Sequence, residues 1–212
     1  MRVLQHTLVV GTTGSGKSWL VNRIIEKLHE SESARFILID PKRVELKRWK
    51  TGADCIAYAK DESGYRDAIL RAYDLMQLRF DKMEDEDEVE YQGDPVYVVV
   101  DEMGVLMNGS SRDRKLYGSL LGDIAMAGRA ARVFLLLCTQ IPTRENLPNS
   151  IRDNMTNKVV LRLDDMGRAR FVLGGGSAVA DLPRYGAGYV KTPDMMHPKR
   201  LTVDEIIESL GV

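Results

Sequence analysis

His6-Thr7-Leu8-Val9-Val10-Gly11-Thr12-Thr13-Gly14-Ser15-Gly16-Lys17-Ser18-Trp19 is the stretch from which the rest of the chain can be read. Leu8 to Val10 is a short apolar run with the character of a buried strand, and Gly11 closes it. Gly11 through Ser18 fits the pattern G-x-x-x-x-G-K-[ST], and Trp19 to Ile25 opens a helical pattern. Each part has a chemical reason. Glycines let the backbone N–H groups of Gly11, Thr12, Thr13, Gly14, Ser15 and Gly16 turn inward around a β-phosphate. The following helix offers its positive N-terminal end to the same anion. Lys17 is placed to reach the β- and γ-phosphates, and the Ser18 hydroxyl to ligate Mg²⁺. Strand, glycine loop and helix in this order predict a P-loop NTPase that uses ATP and Mg²⁺.

A second anchor lies downstream. Pro95-Val96-Tyr97-Val98-Val99-Val100-Asp101-Glu102 is a β-branched run with no polar alternation, as in a central parallel strand covered on both faces. It ends in two adjacent carboxylates. Side chains alternate along a strand, so the two are expected to do different work. Asp101 fits the carboxylate that holds Mg²⁺ through its water shell, and Glu102 the base that orients and activates the attacking water.

Between and beyond these anchors the chain alternates strand and helix patterns. The P-loop helix is expected to run to about His29, and Arg35 to Asp40 forms a second buried strand stopped by Pro41. Asp40 to Leu46 then falls at the carboxyl edge of the sheet, where open α/β folds place ligands. Cys55 to Tyr58 is a short strand, Gly64 to about Met83 a helix, and Glu84 to Glu90 a solvated acidic linker. Asn108 to Lys115 reads as a polar loop carrying Arg112, with a helix from about Leu116 to Gly128. Val133 to Cys138 is another buried strand, followed by Thr139-Gln140. Lys158 to Leu163 is a strand. Asp164-Asp165 caps a helix holding Arg168 and Arg170, ended by Gly174-Gly175-Gly176. Tyr185 to Lys191 is a final strand and Thr202 to Leu210 an amphipathic helix. The pattern predicts one α/β domain over residues 1–212: a RecA-like, mainly parallel sheet with helices on both faces.

Composition sets limits on function. Hydrophobic residues make up 44% and charged residues 29%, as in ordinary globular domains, and the net charge is -1. No global basic field draws the chain to nucleic acid, so any such contact must be local. Cys55 and Cys138 sit in apolar runs and read as buried free thiols of a reducing compartment. No apolar run approaches the ~20 residues that cross a bilayer, so no direct membrane insertion and a cytoplasmic location are expected. Trp19 and Trp49 read as packing residues, and His6 as locally bonded at the strand start.

Several stretches together resemble the motor domain of the FtsK/SpoIIIE family of DNA translocases. They are His6 to Ser18, Asp40-Pro41-Lys42-Arg43-Val44-Glu45-Leu46, Asp101-Glu102-Met103, Gly128-Arg129-Ala130-Ala131 with Cys138-Thr139-Gln140, Arg170 to Gly174, and Pro183 to Tyr189. The resemblance implies a hexameric homo-oligomeric ring that hydrolyses ATP between subunits and threads double-stranded DNA, in company with a membrane-bound or DNA-processing partner. By it, Arg129 matches the arginine inserted into a neighbour's site, where such a charge raises turnover by ~10³–10⁵. Gln140 matches the sensor of the γ-phosphate. Arg170 matches a position facing the DNA backbone, and Arg112 and Arg168 join it as candidate DNA contacts. Ile141 stands where DNA pumps usually carry arginine, and Val105 where the family often has an acid. The brevity is closer to reduced members from plasmids, phages and conjugative elements.

Other readings of these residues stay open. Arg129 could cap its helix, and Arg168 and Arg170 could pair with Asp164 and Asp165. A related ring ATPase that drives protein export in a secretion system is the alternative function.

Overall fold

Both faces of the apolar runs are covered, and this is why they form central strands. In β4 (Val96–Val100), Val96, Val98 and Val100 face one helical layer, while Tyr97 and Val99 face the other. The computed structural model describes residues 4–31, 33–174 and 182–212. In chain order the strands are β1 (Thr7–Val10), β2 (Arg35–Ile39), β3 (Cys55–Ala59), β4, β5 (Val133–Thr139), β6 (Asn157–Val160), β7 (Ala187–Lys191) and β8 (Lys199–Thr202). They form one sheet in the order β3-β2-β4-β5-β1-β6-β7-β8. The pairs from β3 to β6 are parallel, and β7 and β8 are added antiparallel.

The helices are α1 (Lys17–Ser31), α2 (Glu62–Asp85), α3 (Met103–Met107), α4 (Ser111–Ala127), α5 (Asn149–Arg152), α6 (Met166–Leu173) and α7 (Val203–Leu210). Residues of α2 to α6 pack on the face of Val96, Val98 and Val100, and residues of α1 and α7 on the other. On that second face Phe36, Tyr97 and Phe134 stand in register on β2, β4 and β5. Their rings stack at 6.1 and 5.5 Å between centroids. Such aromatic neighbours add roughly 0.5–1.5 kcal/mol per pair beyond the area they bury.

Local chemistry shifts some boundaries from those expected. α2 begins at Glu62 because the Asp61 side chain accepts from Gly64 N, and it runs through Asp85, so the acidic run starts inside the helix. α4 begins at Ser111, where Ser110 Oγ accepts from Asp113 N at 3.1 Å. Arg112 therefore lies on a helix and not in a loop; its turn is exposed, so the apolar period starts later. β6 ends at Val160. β8 has a single apolar residue, Leu201, and only its pairing with β7 makes it a strand. Gly174 ends α6 at φ +86°, a conformation that favours glycine, while Gly175 and Gly176 lie outside the described residues. Cys138 is buried as expected and Cys55 is half-buried.

The turn from α4 into β5 needs its glycine for close packing. A Cβ on Gly128 would stand 2.4 Å from the Val133 carbonyl oxygen and 2.6 Å from that of Ile124. Arg79 of α2 holds the same corner. Its guanidinium donates to the carbonyls of Ala131, Arg132 and Asp94 at 2.9, 3.0 and 2.9 Å. Among the described residues, no helix is long and apolar enough to cross a membrane.

Candidate active site

The carboxyl ends of β1, β4 and β5 lie side by side and gather the two sequence anchors at one edge. Gly14 and Gly16 have φ of +77° and +90°, which turn the loop back over the start of α1. The loop is tied down on both sides. Gly11 N donates to the Thr139 carbonyl at 3.3 Å and Thr12 N to that of Arg162 at 3.0 Å.

Lys17, with Ser18, opens α1 and is buried. Its Nζ donates to the Asp101 carbonyl oxygen at 3.1 Å and stands 3.5 Å from Asp101 Oδ1. Burial alone lowers the ammonium's pKa. Cys138, Asp101 and Glu102 act against it, and the net is a raised pKa, so Lys17 stays charged at neutral pH. The Cys138 thiol is itself pushed up to about 12, chiefly by burial. It is therefore protonated at neutral pH, and the carboxylates are the charges that act on Lys17 there.

Asp101 is fully buried, and neither carboxylate oxygen accepts a hydrogen bond from the described residues. Glu102 is held differently. It is the N-cap of α3, and its Oε1 accepts from Thr139 Oγ1 at 3.0 Å, Gln140 N at 3.2 Å and Gly104 N at 3.3 Å. Its Oε2 accepts none. One oxygen is pinned and the other is not. Gln140 Oε1 accepts from Thr13 Oγ1 at 2.9 Å, which joins the end of β5 to the P-loop.

The loop after β2 is fastened by a buried carboxylate. Asp40 Oδ2 accepts from Leu46 N at 3.1 Å and from Tyr58 Oη at 3.0 Å. This anchors the loop whose Lys42 and Glu45 line a cleft with Gly16, Lys17, Ser18 and Gln140. Asn22 completes the tie by donating to the Ser18 and Glu45 carbonyls and accepting from Trp49 Nε1. Trp49 is thus a packing residue as expected. Trp19 is not: it is 54% exposed.

The other expected residues fall elsewhere. Arg129 lies in the turn after α4, at the amino edge of the sheet beside Gln5 and Asn157. It makes no ion pair among the described residues, and the backbone of Gly128 caps α4. Arg168 pairs with Asp165 at 3.5 Å and also lines a cleft with Thr13, Gln140, Arg162 and Arg184. Arg112 and Arg170 are exposed, on α4 and α6. Thr139, Arg162 and Arg184 escaped the sequence reading. Only the Thr139-Gln140 pairing after a buried strand hinted at the first, and no local pattern marks the two arginines.

This sheet, with a P-loop after β1 facing two carboxylates at the end of β4, one strand removed across β5, defines a RecA-like P-loop ATPase fold. The chain can be placed more closely. Residues 2–103 match the family described as "Helicase HerA, central domain". The chain is 28% identical over 197 residues to the DNA translocase FtsK of Streptomyces coelicolor, covering 80% of this chain and 21% of that protein. Among solved structures, the pCW3 conjugation coupling protein TcpA, a monomer form with ATPγS, superposes with a TM-score of 0.77 at 18% identity. That match covers 98% of this chain and 64% of TcpA. The cytoplasmic domain of the type VII secretion ATPase EccC of Thermomonospora curvata gives 0.76 at 20% identity, over 97% and 28%. The chain is thus similar to HerA- and FtsK-type domains over these spans, in line with the resemblance of its motifs. It spans 21%, 28% and 25% of the length of three FtsK relatives that it matches.

Proposed function

We propose that the chain is the ATP-hydrolysing unit of a ring motor that moves double-stranded DNA. The observation that carries this reading is the division of the machinery between two edges of one sheet. Lys17, Asp101, Glu102 and Gln140 gather at the carboxyl edge, while Arg129 lies at the amino edge and makes no ion pair among the described residues. The seven residues of β5 between them span roughly 20 Å, so Arg129 cannot meet phosphates held by its own P-loop. Subunits side by side in a ring remove that obstacle, because one subunit's Arg129 can enter its neighbour's cleft.

Each residue then has a role. The backbone N–H groups of Gly11 to Ser18 cradle the phosphates of ATP, and Lys17 swings from Asp101 to the β- and γ-phosphates. The Asp101 oxygens, which accept no hydrogen bond among the described residues, and the Ser18 hydroxyl are hard donors of the kind Mg²⁺ takes, and an ion held there would neutralise phosphate charge. Glu102 orients the attacking water through Oε2 and takes its proton. Gln140, tied to both Thr13 and Glu102, relates the state of the phosphates to the base.

Kinship with FtsK, a DNA translocase, supports DNA as the substrate, and exposed Arg170 and Arg112 are the proposed phosphate contacts. Contact to phosphates carries no base readout, so the grip is sequence-independent. Each neutralised phosphate contributes about -0.9 to the slope of log K against log salt. Duplex DNA is therefore expected to stimulate ATP hydrolysis and to lose that effect between low and moderate salt. Arg170→Ala should lower the stimulation several-fold and flatten the salt dependence, with basal turnover little changed. The likeness to EccC favours a second reading, in which the ring moves polypeptide. Turnover raised by a polypeptide and unaffected by duplex DNA would establish that reading instead.

A further inference from the structure

The sequence reading assigned Trp19 to packing, yet its indole is 54% exposed and Tyr185, across the same cleft, is 64% exposed. The cleft measures about 600 Å³ and is lined by Gly14, Gly16, Trp19, Tyr185, Val203 and Asp204, among others. That volume lies within the ~300–1,000 Å³ of small-molecule sites. It opens directly off the glycines of the P-loop. A Cβ on Gly16 would stand 3.7 Å from the Tyr185 Cβ, so the segment before β7 lies over the loop. Rings more than half exposed bury little area in the isolated chain, and here two border an apolar cleft beside the glycine loop, the Tyr185 ring with the Arg184 guanidinium 5.9 Å from its centroid.

We infer that this cleft is the nucleobase site, and that it accepts purines without strong preference between adenine and guanine. The inference rests on the P-loop binding a nucleotide. Stacking on Trp19 and Tyr185 needs only a π-face, which every base has. The polar groups nearby are largely committed. Thr202 Oγ1 donates to Glu205 Oε2 at 2.8 Å and the Gly186 carbonyl accepts from Val203 N at 3.2 Å. Asp204, exposed in the first turn of α7, remains as an acceptor. Adenine and guanine both carry an amino group that can donate to a carboxylate, so Asp204 does not separate them.

The test is equilibrium binding of ATP, GTP and inorganic tripolyphosphate to the full chain and to Trp19→Ala. ATP and GTP should bind within about tenfold of one another. Trp19→Ala should weaken both by about tenfold or more, the scale of losing one base–aromatic stack, and leave tripolyphosphate affinity unchanged. Trp19→Phe should recover most of the loss. In a Trp49→Phe background, Trp19 fluorescence should change with ATP and not with tripolyphosphate. Unchanged ATP affinity in Trp19→Ala would place the base elsewhere. Equal loss of ATP and tripolyphosphate would make Trp19 a prop of the P-loop, and preference for ATP over GTP by a hundredfold or more would overturn the tolerance. Failure of the parent chain to bind any of the three would instead remove the ATPase reading on which the inference stands.

Discussion

Glu102, the proposed base, is fastened through one carboxylate oxygen only. Three donors converge on Oε1, and an amide in its place keeps that oxygen as an acceptor. Glu102→Gln should therefore fold normally and bind ATP within about threefold of the parent. Turnover should fall by ~10²–10⁴, since the amide cannot take a proton. Loss of ATP binding in step with turnover would mean that the roles of Asp101 and Glu102 are exchanged. His6 supplies a residue-scale test of pH. Its Nδ1 accepts from Leu135 N at 3.0 Å, and burial, with the Arg129 charge adding to it, lowers its pKa to about 4 from 6.5. The unfolded chain thus binds the proton first as pH falls. The stability contributed by neutral His6 is present above pH 6.5 and is lost as pH drops from there towards 4. At about 1.4 kcal/mol per pKa unit the full loss is roughly 3 kcal/mol. His6→Asn keeps an acceptor and does not titrate. Its denaturant-unfolding stability should change less between pH 6.5 and 4 than the parent's, and parallel curves would clear His6 of any part in acid lability.

At the scale of elements, the corner between α4 and β5 connects packing to function. Arg79, a cation on the otherwise apolar face of α2, donates to three backbone carbonyls there and presents its guanidinium to the Tyr91 ring, 4.3 Å from the centroid. Two of those carbonyls, on Ala131 and Arg132, belong to the turn that carries Arg129. Arg79→Leu should cost about 2–4 kcal/mol in denaturant unfolding, because buried carbonyls lose charged donors. It should also lower turnover more than ATP affinity. A variant as stable as the parent would show that water replaces the guanidinium without loss. Arg79 falls within the stretch from Gly64 to Met83 that reads as a helix, and no local pattern marks it out. The carbonyls it serves come from segments 15, 52 and 53 residues further along the chain.

At the scale of the molecule, the proposed site is shared between subunits. Lys17→Ala and Arg129→Ala subunits should each be nearly inactive alone and regain part of the hydrolysis when mixed. In a mixed ring some interfaces pair an intact P-loop with an intact Arg129. Absence of rescue in rings shown to contain both variants would make Arg129 structural. The amino-edge position of Arg129, beside Gln5 and Asn157, is what makes the experiment informative. A residue beside its own P-loop would give no rescue whatever its importance.

Legibility followed the range of the interactions. The P-loop, the paired carboxylates and the continuous apolar strands are local patterns, and local patterns suffice where phosphate chemistry and burial on both faces constrain neighbouring residues. The sequence by itself therefore determined the fold class, the glycine loop between β1 and α1 and the two acidic positions at the end of β4. Tertiary structure alone decided the pinning of Glu102 by Thr139, the exposure of Trp19, the strand identity of Lys199–Thr202 and the placement of Arg129 at the edge opposite Lys17. Each of these depends on which strand lies beside which. A side chain's surroundings across a sheet are set by pairing between segments far apart in the chain, and no periodicity within one segment records them.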